Sequence, residues 1–431
     1  MAYATRYRRQ RGTTHIGQQA NSHFNERGTV PMKRVFTILF LLLLATTAHG
    51  QSITQLFAFA CSPYPSCPDG TKPDSIIQAS DGNLYGTTAG PGGGGIFKIT
   101  EAGKITVLYT FTTNPRTGFY DHGYDPTSLA EGTDGFLYGV NSAGGPNSAS
   151  SGTIFKISKT GTGFRVLQTF CTSCATGANP NSLVAGSDGN MYGTTGYGGS
   201  FNSKSPYCPS LGCGVIFRLT PPGTYTVLYA LNGTTDSSLP LGVIQASDGN
   251  LYGTAGTFRP GTVFKFQLSN SQFTTLYNFP SGIFPLNRVT QASNGLLYGS
   301  TRPTNATNGS FVVTIFSSDL IGDVQNLQQL TLPAKKLFAV GPFLQATDGN
   351  LWNTSYVGGT SGLGIAFSVT PSGALVDTLS FSSAVGGSPI GGLIQATDGT
   401  LFGTASVDGT VKGQASANGT VYMITGLAPK Q

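Results

Sequence analysis

The densest group of ionisable side chains in the chain is the segment Tyr120-Asp121-His122-Gly123-Tyr124-Asp125. A histidine beside carboxylates can serve as a general base or as a metal ligand. His122 is the sole histidine after residue 50, because His15, His23 and His49 precede it. A Ser-His-Asp or Cys-His hydrolase would depend on this one residue, and zinc sites built from several histidines are excluded. We interpret His122 as a solvated loop residue that a ligand can contact.

Acidic residues offer little support for glycoside hydrolysis, which needs two opposed carboxylates. Six of the 17 acidic residues after residue 50 are aspartates in tight turns, where an aspartate bonds its own backbone. The remaining candidates that lie close together in sequence are Asp121, Asp125 and Glu131, and no motif supports them. The sequence therefore predicts no catalytic residue, no metal site and no cofactor.

Six cysteines follow residue 50 in three closely spaced pairs: Cys61 and Cys67, Cys171 and Cys174, and Cys208 and Cys213. An even count with pairwise spacing in an exported chain predicts local disulfides, although fifteen connectivities are formally open. Cys171-x-x-Cys174 could instead be redox-active, but no thioredoxin-like βαβ pattern surrounds it. We predict that the cysteines are structural.

The elements that position these side chains are copies of one motif, which is first seen as Asp81-Gly82-Asn83-Leu84-Tyr85-Gly86. Six further copies begin at residues 134, 188, 248, 294, 348 and 398, at intervals of 46 to 60 residues. A period near 50 residues predicts the blades of a propeller or a comparable array. The 61 glycines could suggest disorder, but a hydrophobic content of 39% is sufficient to build a core.

Each copy predicts four short strands, which in the first copy are Ser75–Ala79, Leu84–Thr87, Ile96–Ile99 and Thr106–Phe111. The Asp-Gly pair between the first two strands predicts a hairpin with a type I′ turn, in which both central residues have positive φ.

The seventh copy has no fourth strand of its own. Residues Ile53–Phe59 match the fourth strand of the first copy and can complete the last blade. Such closure leaves no open sheet edge between the first and last blades. The sequence therefore predicts an all-β fold, a seven-bladed β-propeller of four-stranded antiparallel blades that is closed by its N-terminal strand.

Two positions keep the same character in nearly every copy. The second-strand position is aromatic throughout: Tyr85, Tyr138, Tyr192, Tyr252, Tyr298, Trp352 and Phe402. We predict that these rings pack between neighbouring blades, and that the glycine after most of them leaves room for a ring of the next blade. Carbohydrate stacking is the alternative. The other position, three residues before each turn, holds Gln78, Glu131, Ala185, Gln245, Gln291, Gln345 and Gln395. We predict that these side chains bond backbone groups near the central channel.

The first 50 residues differ from the rest, since they carry all of the net charge of +6. The remainder has 17 basic and 17 acidic residues, so nothing indicates nucleic acid as a partner. Lys33 and Arg34, the apolar run 35–45 and the small residues before Gln51 predict a signal peptide. The run is short for a membrane span, and a signal anchor is the alternative.

We therefore divide the chain into four parts. Residues 1–31 are an upstream extension without predicted structure, and 32–50 are the signal peptide. Residues 51–427 form a single propeller, and 428–431 are a short tail. The mature chain is expected to be a monomer without a transmembrane segment, either secreted or held in the periplasm or at the cell surface.

The recurring Asp-Gly-Asn-Leu-Tyr-Gly-Thr-Thr, Gly-Thr-Ile-Phe-Lys-Ile and Val-Leu-Tyr-Thr-Phe motifs resemble the GloVer tandem repeats of exported bacterial proteins. The resemblance covers nearly all of residues 52–427 and implies export and a β-propeller, with no agreed activity. A looser likeness is to streptogramin lyase propellers and to the sensor propellers of two-component regulators. The shortage of histidine weakens the likeness to the lyases.

These observations favour a binding or envelope-associated scaffold for a glycan, peptide or protein. A hydrolase or lyase on the same face and a purely structural surface protein are the alternatives. The loops after each second strand and between blades carry most of the length variation, and we expect recognition there. The expected ligand-binding residues are Tyr120, Asp121, His122, Asp125, Tyr197, Phe201 and Tyr207.

Overall fold

The structure is a computed structural model that describes residues 50–60, 67, 70–90, 92–172, 174–200, 208, 211–256, 260–304, 310–333, 341–407, 410–411, 414–415 and 418–427. These residues belong to one compact unit, 49–431. All of the regular elements in these ranges are β-strands. None of the described segments forms a helix long and apolar enough to cross a membrane. The predicted signal peptide, apart from Gly50, and the tail 428–431 lie outside the described residues.

The strands form seven antiparallel sheets, each of which is one blade of a ring. The chain begins with β1 (Ser52–Ala58). Blade 1 then contains β2 (Thr71–Gln78), β3 (Leu84–Ala89), β4 (Gly95–Ile99) and β5 (Ile105–Thr110). Blade 2 contains β6 (Tyr124–Glu131), β7 (Leu137–Ala143), β8 (Ser150–Ile157) and β9 (Arg165–Cys171). Blade 3 contains β10 (Ala178–Ala185), β11 (Met191–Tyr197), β12 (Val215–Thr220) and β13 (Thr224–Ala230).

The later blades follow the same order, with shorter inner strands. Blade 4 contains β14 (Pro240–Gln245), β15 (Leu251–Ala255), β16 (Thr262–Gln267) and β17 (Gln272–Asn278). Blade 5 contains β18 (Ile283–Pro285), β19 (Thr290–Gln291), β20 (Leu297–Pro303), β21 (Ser310–Ser318) and β22 (Val324–Pro333). Blade 6 contains β23 (Leu344–Gln345), β24 (Leu351–Ser355), β25 (Ile365–Val369) and β26 (Leu375–Ser380). Blade 7 contains β27 (Gly387–Pro389), β28 (Ile394–Gln395), β29 (Leu401–Val407) and β32 (Thr420–Thr425), with the small hairpin β30 (Thr410–Val411) and β31 (Gln414–Ala415) inserted.

The N-terminal strand closes the ring, as the sequence predicts. β1 pairs antiparallel with β32, so that Ile53 lies opposite Ile424 and becomes part of the outer strand of blade 7. Phe59, just after β1, is fully buried and packs edge to face on Phe97 of blade 1. One segment of the chain thus joins the first blade to the last.

Each Asp-Gly hairpin is a three-residue loop with a glycine in the left-handed region. In blade 1 the amide of Gly82 donates to the carbonyl of Ala79, and the amide of Ala79 donates to the carbonyl of Asn83. Gly82 has a φ of 77°, whereas Asp81 is not among the residues with positive φ. This geometry is a type I turn followed by a glycine bulge, so the prediction of a type I′ turn is wrong. The extra loop residue, Ser80, accounts for the difference.

The turn aspartate also fixes the aromatic residue four positions later. The Tyr85 hydroxyl donates to Asp81 Oδ2 at 2.8 Å, and Trp352 Nε1 donates to Asp348 Oδ2 at 3.0 Å. Although burial raises the pKa of Asp81, hydrogen bonds from Tyr85, Asn83 and Lys98 lower it to about 2. The carboxylate therefore has a structural role that orients the ring.

The seven rings pack between blades, which confirms that prediction. Tyr85 of blade 1 lies in one apolar cluster with Leu129 and Leu137 of blade 2. Phe402 of blade 7 lies with Ile76 and Leu84 of blade 1, so the same contact closes the ring. The other blades repeat this arrangement, in which each ring covers the inner strands of the next blade.

The glycine that follows six of the seven rings makes room for a ring of its own blade, not of the next blade as we predicted. Gly86 lies opposite Phe97 in the pairing of β3 with β4. A Cβ added to Gly86 would meet Phe97 Cζ at 2.3 Å. The same contact recurs between Gly193 and Phe217. Glycine is required because the third-strand ring lies flat across the second strand.

Loops of very different length leave the two sides of the ring. Tight turns between the first and second and between the third and fourth strands form one side, which we call the short-turn face. The connections between the second and third strands and between blades form the other side, the loop-rich face. Disulfides join Cys171 to Cys174 and Cys208 to Cys213 on the loop-rich face, as predicted. Cys67 is also disulfide-bonded, while its predicted partner Cys61 lies outside the described residues.

Deleting residues 51–60 should destabilise the propeller by several kcal/mol, because it removes a whole strand from blade 7 and exposes two edges. Thermal unfolding of residues 61–431 and of residues 51–431 measures the effect. A melting temperature within about a degree of the parent would contradict the closure.

Two point variants test side-chain packing next to β1 separately from the pairing of β1 with β32. Phe59→Ala leaves a cavity against Phe97 and should cost about 3–5 kcal/mol. Phe57→Ala is the matched control: Phe57 is only half-buried, so the loss should be clearly smaller. Equal losses would show that the seam is not packed as described.

Reducing the disulfides should lower the melting temperature without unfolding the ring. The loops closed by Cys171–Cys174 and Cys208–Cys213 are short, so each bond contributes about 2 kcal/mol in the chain-entropy model. Circular dichroism of the reduced protein should keep its β-sheet signal at room temperature. Complete unfolding on reduction, or bridges between distant cysteines in peptide mapping, would contradict the interpretation.

Candidate functional site

A central channel of about 820 Å³ runs between the inner strands of all seven blades. Its wall includes Asp74 to Gln78 of blade 1, Thr127 to Glu131 of blade 2 and Asn181 to Ala185 of blade 3. Asn287 and Arg288 of blade 5 are also part of it. An inner strand has one end at each face, so the wall can place side chains at defined heights between them.

A belt of side-chain amides encircles the channel at the short-turn end. Gln245 Oε1 accepts the backbone N–H of Ser187 in the preceding blade at 2.7 Å, and its Nε2 donates to Gly249 in its own turn at 3.0 Å. The same double contact at Gln78 reaches Thr397 and so crosses the seam between blades 7 and 1. This arrangement confirms that the glutamines bond backbone groups near the channel.

The belt changes at blade 2 and stops at blade 3. Glu131 replaces glutamine and accepts the backbone N–H of Ser80 at 2.6 Å, while Lys159 forms an ion pair with it. Burial raises the pKa of Glu131, but the Lys159 ammonium and the Ser80 donors lower it overall. At the next position Ala185 has no polar side chain, so nothing there reaches back to blade 2. The belt thus occupies most of the polar groups at this end.

Asp74 has a different environment, in the wall of the channel and four residues before the belt. Its carboxyl accepts no hydrogen bond from any described residue, and its backbone carbonyl accepts from Thr404 of blade 7. Burial raises the pKa of Asp74, and the negative charge of Asp125 in blade 2 adds to this effect. Together they raise the pKa of Asp74 to about 7. Near neutral pH this carboxyl can therefore either hold or release a proton.

Arg288 of blade 5 is a cation without an internal anion. Its Nε is buried and has no hydrogen-bond partner among the described residues. None of the three ion pairs in the described part of the chain includes it. Burial lowers the pKa of Arg288, and no acidic neighbour opposes that shift. Arg288 thus lines the channel with its Nε unpaired among the described residues.

Comparison with protein families finds a match over residues 117–316 to the Gloeobacter/Verrucomicrobia repeat. This segment is similar to that repeat. The match begins at the end of blade 1 and reaches the third strand of blade 5, and the same motif continues on both sides of it. No curated protein matches the chain.

Solved structures show the same fold at low sequence identity. An oligogalacturonate lyase in complex with manganese is 12% identical, covers 88% of this chain and 94% of its own, and has a TM-score of 0.52. A mutant of puromycin hydrolase is 13% identical, covers 82% of this chain and 55% of its own, and has a TM-score of 0.52. A gluconolactonase from Xanthomonas campestris is 13% identical, covers 87% of this chain and 89% of its own, and has a TM-score of 0.43. The likenesses to the lyase and to puromycin hydrolase concern the fold alone.

The predicted ligand-binding residues between 120 and 125 lie on the loop-rich face of the propeller. Asp121 Oδ2 accepts from Asn114 Nδ2 at 2.5 Å, so this carboxylate braces its own loop. His122 is exposed and its Nδ1 contacts the Tyr109 hydroxyl of blade 1. The Tyr120 ring packs against Tyr124 with centroids 4.8 Å apart.

The other predicted residues are distributed around the same face. Asp125 begins the inner strand of blade 2 in a left-handed conformation, with a φ of 57°, and is close enough to act on Asp74. Tyr197 ends β11 in blade 3 and is half-buried. Phe201 and Tyr207 lie outside the described residues. Of the predicted set, Asp125 is the one whose charge acts on a residue of the channel wall, Asp74.

Asp74 and Arg288 were missed by the sequence analysis. The aligned repeats contain a signal for both, because the position four residues before the belt is otherwise Thr127, Asn181, Leu241, Asn287, Gly341 and Gly391, with no charge. The position of Arg288 is likewise serine, glycine or proline in the other copies. In the other copies these two positions of the channel wall carry neutral residues. A charged residue at either position therefore departs from the pattern of the repeat. Within the described residues, no three histidine, cysteine or acidic side chains are grouped so as to hold a metal ion.

Asp74→Asn should make the protein more stable at pH 8 and leave its stability unchanged at pH 4. The pKa of Asp74 is about 7 in the folded protein and has the ordinary value of 3.8 in the unfolded chain. Between pH 3.8 and pH 7 the folded protein therefore keeps a proton that the unfolded chain releases. The stability contributed by that proton is present below pH 4 and is lost as the pH rises through 7. The asparagine has no charge to bury. Thermal unfolding of both proteins across this range measures the difference.

Asp81→Asn provides the opposite control. The pKa of Asp81 is lowered, so its ionised form stabilises the fold at pH 8, and removing the charge should lower the melting temperature there. An Asp74→Asn variant that is also destabilised at pH 8 would show that the Asp74 carboxylate has a partner in the folded state.

Proposed function

We propose that this protein is an exported binding scaffold that takes a polar ligand into the central channel from the loop-rich face. The observation that carries the proposal is the pair of channel groups Asp74 and Arg288, for which the described residues provide no ion-pair partner. Removing a charged group from bulk water without a partner costs free energy, so folding alone gives no reason to keep them there. A ligand that pairs with these groups would offset that cost.

The loop-rich face provides a suitable entrance. Its loops carry both described disulfides, and the tyrosines Tyr120, Tyr124 and Tyr197 present large rings with polar ends. Variable loops on a rigid ring are where recognition residues concentrate, and tyrosine offers contact area with little entropy to lose. We propose that Tyr120, Asp121, His122, Asp125 and Tyr197 contact the outer part of the ligand, with Phe201 and Tyr207 in the same role.

Export is part of this proposal. The predicted signal peptide 32–50 would direct the chain out of the cytoplasm, and disulfides persist in oxidising compartments. The disulfides described above are compatible with such a location. We propose that the mature protein is a monomer that is secreted, periplasmic or surface-associated. Its ligand would be a glycan, a peptide or a protein segment.

A hydrolase or lyase is the second candidate, and one observation favours it. A carboxyl with a pKa of about 7, such as Asp74, suits general acid or base catalysis near neutral pH. Its acidic neighbour is Asp125, and among the described residues no side chain forms a hydrogen bond with the Asp74 carboxyl. The fate of the bound ligand distinguishes the two functions: an enzyme would convert the ligand and lose that turnover in Asp74→Asn, whereas a binding protein would release the ligand chemically unchanged. A purely structural role would leave Arg288 without a purpose.

A binding screen of purified residues 51–431 against glycans, peptides and cell-wall fractions tests the proposal. We expect at least one ligand, and alanine at Tyr120, Asp121 or Tyr197 should weaken its binding several-fold, since each removes a contact or the support of a loop. Alanine at Lys104 or Thr224, which are exposed on the short-turn face, provides the matched control and should leave affinity unchanged. Affinity lost on the short-turn face alone would reverse the assignment.

A further inference from the structure

We infer that the channel binds a small zwitterion, such as a short peptide with free ends, with its carboxylate on Arg288 and its ammonium group on Asp74, beside the negative charge of Asp125. The inference rests on the proposed binding function and specifies its ligand. Ligands of this class share one anionic and one cationic group, which are separated by a short polar segment.

The first step is the placement of the charges on opposite walls. Asp74 is in blade 1 and Asp125 in the neighbouring blade 2, whereas Arg288 is in blade 5. Blades 1 and 5 are three places apart, which is the largest separation that a ring of seven allows. Asp74 and Arg288 therefore line opposite sides of the channel.

The second step is their height along the channel. Asp74 precedes its belt residue Gln78 by four positions, and Arg288 precedes Gln291 by three. Both glutamines belong to the same belt, since each accepts a backbone N–H from the preceding blade. A strand rises about 3.3 Å per residue, so the two charged groups differ in height by about one residue. A ligand lying across the channel can reach both.

The third step is the space made for Arg288. Gly242 of blade 4 lies against its side chain, and a Cβ there would come within 3.2 Å of Arg288 Cβ and 2.9 Å of Ser182 Oγ. Ser182 Oγ and Thr127 Oγ1 are buried, belong to the channel wall and have no hydrogen-bond partner among the described residues. The wall thus offers neutral hydroxyl groups between the two charged sites.

The fourth step is the choice of ligand class. An acidic oligosaccharide would satisfy Arg288 but would bring further negative charge toward Asp74 and Asp125, which already repel each other. A cation alone would leave the guanidinium unpaired. A zwitterion satisfies both walls, because a guanidinium binds carboxylate through two parallel hydrogen bonds and paired carboxyls attract an ammonium group.

The test uses one tripeptide in four forms: with free ends, N-acetylated, C-amidated and blocked at both ends. Calorimetry should show the free form binding residues 51–431 most tightly, and each block should weaken binding about tenfold or more, as expected for a lost charge-assisted hydrogen bond. Arg288→Gln should weaken binding of the free and N-acetylated forms but leave the C-amidated form unchanged. Asp74→Asn should weaken the free and C-amidated forms but leave the N-acetylated form unchanged.

Two substitutions elsewhere serve as controls for folding and net charge. Arg302→Gln removes an arginine that lies over the Phe284 ring, and Asp398→Asn removes a carboxylate that bonds Thr400 in a turn. Neither residue lines the channel, so both variants should bind the four peptides as the parent does. The crossed response of the two channel variants to the two blocks is a pattern that a merely structural role would not produce.

Several results would overturn the inference, and they differ from failure of the binding function. No binding of any peptide form, or tighter binding of a trigalacturonate than of the free peptide, would exclude the zwitterion. A ligand from the general screen whose affinity ignores Arg288→Gln would leave a binding protein with its site outside the channel. If no ligand of any class binds, the proposed function fails as well.

Discussion

The contact between neighbouring blades is the interaction on which the rest of the structure depends. A four-stranded sheet of this size buries little by itself, so each blade is stable only when its faces are covered by neighbours. The aromatic residue on the second strand makes that contact in every blade, from Tyr85 through Trp352 to Phe402. Because the last contact joins blade 7 to blade 1, stability requires closure of the whole ring.

Hydrogen bonds between neighbouring blades at the short-turn end supplement this apolar packing. The glutamine of one blade bonds the turn of the preceding blade, so each blade is fixed in height as well as in distance. An amide is suited to the task, since it offers one acceptor for the neighbour and a donor for its own turn. Glu131 can replace it because Lys159 compensates the charge. The polar groups at this end thus have structural partners, in contrast to those higher in the channel.

The sequence predicted what repeats, because periodic residues report on contacts that every blade makes. Six Asp-Gly motifs, one Asn-Gly motif and seven aromatic residues were enough for the blade count, and the match of Ile53–Phe59 to a fourth strand was enough for the closure. The turn type was wrong because it depends on how many residues the loop contains, and Ser80 belongs to the loop. The partner of Gly86 was wrong because cross-strand register decides it, and a single strand does not show its register.

The channel was harder to predict, since its charged residues are visible only as exceptions to the repeat. Asp74 and Arg288 lack a motif of their own, and their meeting across the ring depends on blade order and on strand height together. The same reason explains the partial result at the loop-rich face. Asp121 and His122 looked like free ionisable groups, but Asp121 bonds Asn114 and His122 contacts Tyr109. A loop sequence does not show which of its side chains are used to hold the loop itself.

The division between constant and variable positions links the fold to its use. The belt position is glutamine in five copies, and the second-strand position is aromatic in all seven, since both serve contacts between blades. Four residues before the belt the side chains are Asp, Thr, Asn, Leu, Asn, Gly and Gly, so this level of the wall has no common structural task. Seven equal blades would form a channel without any preferred direction across it. A ligand whose two ends differ in charge needs different residues on opposite sides of the channel. A repeat protein can place such residues at the positions that do not serve contacts between blades.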